Sequence, residues 1–290
     1  MSGGALATLR AILSDIRFEQ TLFSLPFALL AAVLAAGGWP DGRTLALVLL
    51  ALVAARSAAM AINRFADAAI DARNPRTAGR AVPAGQVRRA AMGAFALVAT
   101  AVFVAAAAAL NDLCLRLSPI ALLFLVGYSW TKRWTALCHI VLGATLGIAP
   151  LGAWVAVRAS LDDLEPWLLG LAVACWVAGF DVIYACPDVE VDRRDGLRSI
   201  PAALGVPAAF RTSEALHVAA VGLLAALGAV SRSLGPWWWA GLAAGAALLV
   251  AEHLVVRPGR YERMATAFFR MNAVFGAVLL GCGAADVLRS

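Results

Sequence analysis

The sequence predicts an all-α polytopic membrane protein of nine transmembrane helices, and three observations carry that prediction. Of the 290 residues 62% are hydrophobic and only 14% charged, with a mean hydropathy of +0.82, far from the composition of soluble globular domains. The apolar residues gather near positions 21–37, 44–62, 90–110, 117–130, 135–157, 164–186, 208–230, 235–256 and 266–286, and about 20 such residues cross a bilayer as a helix. The basic residues are uneven about these stretches: 17 Lys and Arg lie on the side of the N-terminus and 5 on the other.

Residues 1–20 read as an amphipathic lead-in, because Leu6, Leu9, Ile12, Leu13 and Ile16 recur at helical spacing in the manner of a helix lying at a membrane interface. Asp15, Arg17, Glu19 and Gln20 precede the first apolar stretch. A signal peptide would open on a short basic segment instead, so 21–37 is read as a helix of the mature chain. The second stretch ends in "NRFADAAIDARNPRTAGR" (63–80), and the connection at 72–89 holds Pro75, Gly79, Pro83 and Gly85, which excludes one continuous helix. The fourth stretch, 117–130, is the shortest and ends in "GYSWTKRW". The sixth ends in "DVIYACPDVEVD" (181–192), and the second long connection follows at 187–207. Trp237, Trp238 and Trp239 open the eighth stretch as an interfacial anchor.

Nine spans put the termini on opposite sides, and the basic excess places the N-terminus and both long connections in the cytoplasm. The expected location is a bacterial inner membrane. This placement accounts for the net charge of +6 without a nucleic-acid partner. Five cysteines form no CxxC pair, and His139, His217 and His253 share no metal-ligand spacing. Zinc and disulfide frameworks are therefore not expected, and the histidines read as structural.

The polar residues at the ends of apolar stretches point to chemistry. A helix repeats every 3.6 residues, so Asn63, Asp67 and Asp71 at i, i+4 and i+8 share one face. Asp181, Asp188 and Asp192 at i, i+7 and i+11 share a face in the same way, with Pro187 placed to kink or restart the helix before Asp188. An acidic D-x-x-x-D followed by arginines, Pro and Gly thus occurs twice, as in a duplicated helical unit. Magnesium takes one or two carboxylates and completes its shell with water and substrate phosphates. Arginines in the adjoining loops, Arg76, Arg80 and Arg198, hold phosphate by bidentate hydrogen bonds. The pattern reads as a diphosphate clamp. Arg56 lies on the same face as Asn63 and ~10 Å deeper by helix rise, and a guanidinium at that depth marks an internal site with an anionic partner. The cavity then has two storeys, with metal and diphosphate at the mouth and Arg56 and Asp181 below. Lys132 is the only lysine among 24 basic residues and adds a charge at the same membrane face. The blander alternatives are acids that solvate helix ends, an Arg56 that snorkels to a headgroup and a Lys132 that only sets topology.

The chain resembles the UbiA superfamily of intramembrane prenyltransferases over essentially its full length. "NRFADAAID" resembles the family's N-x-x-x-D-x-x-x-D motif and "DVIYACPDVEVD" its D-x-x-Y-x-x-x-D-x-x-x-D motif. The resemblance implies one domain over residues 1–290, a nine-helix bundle around a central cavity capped by loops 72–89 and 187–207. It also implies magnesium-dependent transfer of a polyprenyl group from polyprenyl diphosphate to an aromatic acceptor. On matching positions, Asn63, Asp67, Asp71, Asp188 and Asp192 would hold magnesium and diphosphate, with Tyr184 inside the second motif. Tyr128 and Lys132 would belong to a third, basic segment, and Arg56 and Asp181 would line the acceptor pocket. "EQTLFSLPFALLAA", "NPRTAGR", "YSWTKRW", "LCHIVLGATLGIAPLGAW" and "WVAGFDVIYAC" look most like the branch that prenylates 1,4-dihydroxy-6-naphthoate on the futalosine route to menaquinone. The 4-hydroxybenzoate enzymes of ubiquinone synthesis come next. Two residues depart from the pattern: Arg64 stands where many relatives carry a further Asp, and Pro187 where a polar residue is expected. A secondary transporter is the alternative, although its acids usually sit near the midplane on broken helices. A CDP-alcohol phosphotransferase would need a D-G…A-R…G…D…D motif that is absent.

Overall fold

Each predicted apolar stretch becomes a helix, in a computed structural model that describes residues 3–16, 21–259, 261, 264 and 267–289. The helices are α1 (Gly3–Asp15), α2 (Thr21–Ala36), α3 (Gly42–Asp71), α4 (Arg89–Leu110), α5 (Asp112–Thr131), α6 (Cys138–Arg158), α7 (Glu165–Tyr184), α8 (Val189–Arg194), α9 (Ile200–Leu204), α10 (Val206–Val230), α11 (Pro236–Val255) and α12 (Asn272–Val287). A 3₁₀ turn, Cys186–Asp188, joins α7 to α8, and a π turn, Ala267–Met271, leads into α12.

Eight helices among the described residues are long and apolar enough to cross a bilayer: α3 to α7, α10, α11 and the run 269–287. The first predicted span, 21–37, is α2, whose described residues begin at Thr21. Phe27, Leu30, Ala31 and Val33 of α2 are at most 1% exposed, so this helix is packed in protein. The 30 residues of α3 reach ~45 Å by helix rise, more than the ~30 Å of hydrocarbon. The first acidic motif therefore rides on an unbroken helix past the apolar layer.

Neighbours in sequence are neighbours in space. Helix α3 packs on α4, α4 on α5, α5 on α6, α6 on α7, α7 on α10, α10 on α11 and α11 on α12, and α2 joins α12 to α6 and α3. Phe27, Trp176 and Phe275 meet at the centre, with ring centroids 5.1 to 6.1 Å apart. Helices α6 and α7 approach most closely through small residues. A Cβ on Gly143 would stand 2.2 Å from the Ala174 carbonyl oxygen, and one on Gly147 2.5 Å from that of Gly170; such i, i+4 small-residue seams let membrane helices touch along their backbones. Buried polar groups cross-link the rest: Trp176 Nε1 donates to Asn272 Oδ1 (2.8 Å), and Asn272 Nδ2 donates to Glu252 Oε1 (3.2 Å). His217 and His253 hydrogen-bond each other at 3.0 Å and tie α10 to α11.

The lead-in is helical, but it is half docked. Ile12 and Ile16 are buried against Met60, Ala61, Val87 and Met92, whereas Leu6, Leu9 and Leu13 are exposed. Arg17, Glu19 and Gln20 lie outside the described residues. The tryptophan triplet divides too. Trp237 and Trp239 are exposed, but Trp238 is wholly buried, its Nε1 donating to the Leu224 carbonyl (3.2 Å), so only two of the three can serve as an interfacial anchor.

Candidate active site

The two long connections leave the bundle at the same end, from α3 and from α7, and fold over one cavity. Residues 72–88 make successive turns, as their Pro and Gly content requires, and the second connection carries α8 and α9. On α3 the predicted face is real: Asn63 Nδ2 donates to Asp67 Oδ2 (3.0 Å). Asp67 is only 2% exposed, and its charge is met by Arg133, whose Nη2 donates to Oδ1 (2.8 Å), and by Lys132, whose Nζ stands 3.5 Å from Oδ2. Asp71 is turned to a different task. Arg80 Nη1 donates to both its oxygens (2.8 and 2.7 Å) and the Thr77 hydroxyl donates to its carbonyl (3.0 Å). Asp71 is absent from the cavity wall, which Arg80 joins. Of the five expected metal ligands four therefore line the cavity in this arrangement, and Asp71 holds Arg80 at the mouth.

Pro187 acts where the sequence placed it. Helix α7 stops at Tyr184, the 3₁₀ turn ends on Asp188, and α8 restarts at Val189, so Asp181, Asp188 and Asp192 reach the cavity from three elements rather than from one helical face. Arg76 crosses from the first connection to the second. Its Nε donates to Asp188 Oδ1 (2.9 Å), its Nη2 to Oδ2, and its Nη1 to the Tyr184 hydroxyl (3.2 Å), while Asn74 Nδ2 also donates to Asp188 Oδ1 (3.2 Å). Burial by itself lowers the Arg76 pKa, and the hydrogen bond and charge of Asp188 more than reverse this, holding the guanidinium above its ordinary value. Burial pushes the Asp192 carboxyl up, against the Ser199 hydroxyl, which donates to Oδ2 (2.8 Å), and the Lys132 charge. Arg198 does not join them: its Nη1 donates to the Trp134 carbonyl (2.7 Å) and it is absent from the cavity wall. That contact pins α9's approach to the end of α5, and the phosphate role expected of Arg198 is not supported.

The cavity encloses about 1000 Å³, and Asn63, Asp67, Lys132, Asp188 and Asp192 line its mouth. Arg56, Tyr128 and Asp181 line the same cavity, seven residues further into α3 and α7 from the motif positions in the case of Arg56 and Asp181. The Tyr128 hydroxyl donates to the Ala59 carbonyl (3.2 Å). A second cavity of about 490 Å³, lined almost wholly by apolar side chains, shares Arg56, Tyr128, Leu142 and Leu146 with the first. Arg64, the departure from the family pattern, is buried at the wall of the same cavity: its Nε and Nη2 donate to the Asp15 carbonyl (both 3.2 Å) and its Nη1 to Asn63 Oδ1 (3.0 Å). It fastens the C-terminus of α1 to α3.

His139, read from the sequence as structural, lies at the cavity. Its Nδ1 lies 2.7 Å from Asp181 Oδ2, and both residues line the cavity. No sequence signal links positions 42 apart on different helices. Asn74, Arg133 and Ser199 also escaped the sequence reading; Arg133 adjoins Lys132, Ser199 adjoins Arg198 and Asn74 lies two residues before Arg76, so proximity to selected residues was the available signal.

The donor chemistry fits magnesium. Four hard-oxygen side chains, Asn63, Asp67, Asp188 and Asp192, face one cavity, and no three His, Cys, Asp or Glu residues among those described converge into a cage that would hold a metal alone. Magnesium sites of the first kind are completed by water and phosphate.

The UbiA prenyltransferase family profile matches residues 24–274. A 4-hydroxybenzoate octaprenyltransferase of Aeromonas salmonicida is 34% identical over 262 residues, 90% of this chain and 89% of that protein. One of Vibrio cholerae is 34% identical over 279 residues, 94% and 96% of the two chains. Among solved structures, the apo form of a UbiA homologue from Aeropyrum pernix K1 superposes with a TM-score of 0.83 at 36% identity, covering 92% of this chain and 97% of that one. A UbiA homologue from Archaeoglobus fulgidus, bound to DMAPP and Mg²⁺, shares the fold at a TM-score of 0.71 and 18% identity, over 95% and 98% of the chains. With the fold, both acidic motifs and the family match in agreement, this chain belongs to the UbiA prenyltransferase family and is a polyprenyltransferase of the membrane.

Proposed function

We propose that the protein transfers a polyprenyl group from its diphosphate to the ring of a carboxylated hydroxy-aromatic acid in quinone biosynthesis, with 4-hydroxybenzoate as the acceptor. The observation that supports this most is the pairing within one cavity of an acid- and base-rich mouth with an Arg56–Asp181 pair beyond it. The names of the relatives put 4-hydroxybenzoate ahead of the 1,4-dihydroxy-6-naphthoate expected from local sequence. The transporter alternative loses its basis, because the acids sit at the ends of α3 and α7 and the family is one of transferases.

Asn63, Asp67, Asp188 and Asp192 would hold magnesium. When bound, it supplies positive charge against the charge that builds on the departing diphosphate. The chain's own residues do the rest. Arg76, Arg80 and Lys132, which line the cavity, and Arg133 each hold an aspartate in this structure; the first three turn to phosphate oxygens when donor enters, which lets the carboxylates face metal. Arg56 anchors the acceptor carboxylate, since it lines the inner part of the cavity and a guanidinium matches a carboxylate in charge and in bidentate geometry. Asp181 orients the acceptor hydroxyl so that the ring carbon beside it faces the allylic carbon. The apolar second cavity accepts isoprenoid chain. The mouth faces the cytoplasm, by the excess of basic residues on that side.

The test is product analysis with purified protein, polyprenyl diphosphate, magnesium and three acceptors: 4-hydroxybenzoate, 1,4-dihydroxy-6-naphthoate and phenol. The benzoate is prenylated fastest and phenol poorly. Arg56→Ala raises the acceptor KM at least about tenfold and leaves the donor KM within about twofold, as removal of a uniform binding anchor does. Equal use of phenol and the acids would remove Arg56 from the acceptor site.

A further inference from the structure

Beyond the two motifs, the cavity holds one arrangement that neither the sequence pattern nor the family match assigns. His139 is the second residue of α6, and Asp181 lies in the last turn of α7. Their side chains meet at 2.7 Å, Nδ1 to Oδ2. An ionised carboxylate only accepts hydrogen bonds, so Nδ1 carries the hydrogen and the imidazole donates. Exposure divides the pair unequally: the His139 side chain is 5% exposed and that of Asp181 22%. The imidazole therefore stands behind the carboxylate. It engages Oδ2 and leaves Oδ1 as the oxygen that can accept from a ligand in the cavity.

The pair is built into the scaffold. Gly143 and Gly147 on α6 meet Gly170, Ala174 and Ala178 on α7 and form the seam where backbone meets backbone, and His139 continues the same i, i+4, i+8 face of α6. Helices locked that closely fix the separation of side chains one turn beyond the seam, which is where His139 and Asp181 stand. A hydrogen bond between rigid elements holds a reacting group more precisely than one from a loop.

We infer that His139 is a positioning residue for the transfer: its Nδ1–H fixes the Asp181 carboxylate so that Oδ1 takes the hydrogen of the acceptor hydroxyl as the new bond forms. The inference rests on the prenyl-transfer reading above. In the step, the bond from the allylic carbon to the diphosphate oxygen breaks and its electron pair leaves with the diphosphate. The electron pair of the acceptor O–H bond moves into the ring as the proton passes to Asp181 Oδ1, and the ring carbon beside the oxygen bonds to the allylic carbon. The resulting dienone loses its ring proton and regains one on oxygen, which restores the aromatic ring. One proton is released overall.

This role predicts uncoupling and not simple loss. If the acceptor is poorly oriented, the allylic cation is still formed at the mouth and water captures it, giving polyprenyl alcohol in place of prenylated acid. The experiment measures both products, with magnesium, polyprenyl diphosphate and 4-hydroxybenzoate, for wild type, His139→Ala and His139→Gln. Wild type gives mainly prenylated acid. His139→Ala raises the ratio of alcohol to prenylated acid about tenfold or more, with the donor KM little changed. His139→Gln keeps an N–H donor and returns the ratio to within about threefold of wild type. A fall of both products in equal proportion in His139→Ala, or a Gln variant no better than Ala, overturns the positioning role; so does a His139→Gln protein that fails to fold. A wild type that consumes donor yet prenylates none of the hydroxy acids overturns the functional reading itself, and the two failures are distinct.

Discussion

At the residue scale, every acid of the first motif and Asp188 of the second carries a basic partner in this structure: Lys132 and Arg133 on Asp67, Arg80 on Asp71 and Arg76 on Asp188. Clustered carboxylates repel, and the basic side chains offset that repulsion; on the proposed function, those that line the cavity also meet phosphate. Lys132 differs from its neighbours because an ammonium is a flexible point charge and not a planar fork. A hydrogen bond to a charged group contributes about 1.5–3 kcal/mol, so Lys132→Ala raises the KM for prenyl diphosphate by about tenfold or more, and Lys132→Arg recovers part of it. Initial-rate measurements at varied donor check this; an unchanged donor KM would return Lys132 to a role in topology alone. The acids themselves were legible in the sequence because helical spacing is a local property. The placement of Arg198 was not legible for the converse reason. It is as basic and as near to the motif as Arg76, and only the course of residues 195–199 decides that one reaches the cavity while the other bonds the Trp134 carbonyl.

At the element scale, hydropathy located the long helices of the bundle, yet it could not show which of them face lipid. Helix α2 is as apolar as the others and is enclosed by protein, and α3 is longer because its last turns carry polar work beyond the membrane. Pro187 was visible as a break, but the direction of the chain after it was not, since a 3₁₀ turn and a six-residue helix have no periodic signal of their own. The seam between α6 and α7 was visible only as a glycine-rich string. Its contact distances give it a testable weight. A methyl group on Gly143 meets a backbone carbonyl at 2.2 Å, which cannot rotate away, and overpacking of this kind costs about 1–3 kcal/mol. Gly143→Ala should lower the thermal midpoint in detergent and, by parting His139 from Asp181, lower the share of donor that ends on the acceptor. Gly152 lies on the same helix with nothing within 4 Å of a Cβ, and Gly152→Ala should leave both quantities unchanged.

At the scale of the whole molecule, the bundle brings two acidic segments more than a hundred residues apart to one mouth, and Arg76 spans them. Neither segment alone presents enough oxygen ligands and cations for a diphosphate with its metal; together they enclose the end of a cavity whose interior carries Arg56, Tyr128 and Asp181 and whose neighbour is apolar. Function on this account belongs to the pair, so the two motifs should behave as one unit, and the effects of damaging them should not add. The most direct measurement is magnesium-dependent turnover of purified Asp67→Asn, Asp188→Asn and the double variant, each checked for an unchanged thermal midpoint. Each single variant should lose on the order of 10²–10³ in kcat, as removal of a transition-state charge stabiliser does, and the double variant should be little worse than either. Near-normal turnover in either single variant, with the protein folded, would contradict the shared clamp.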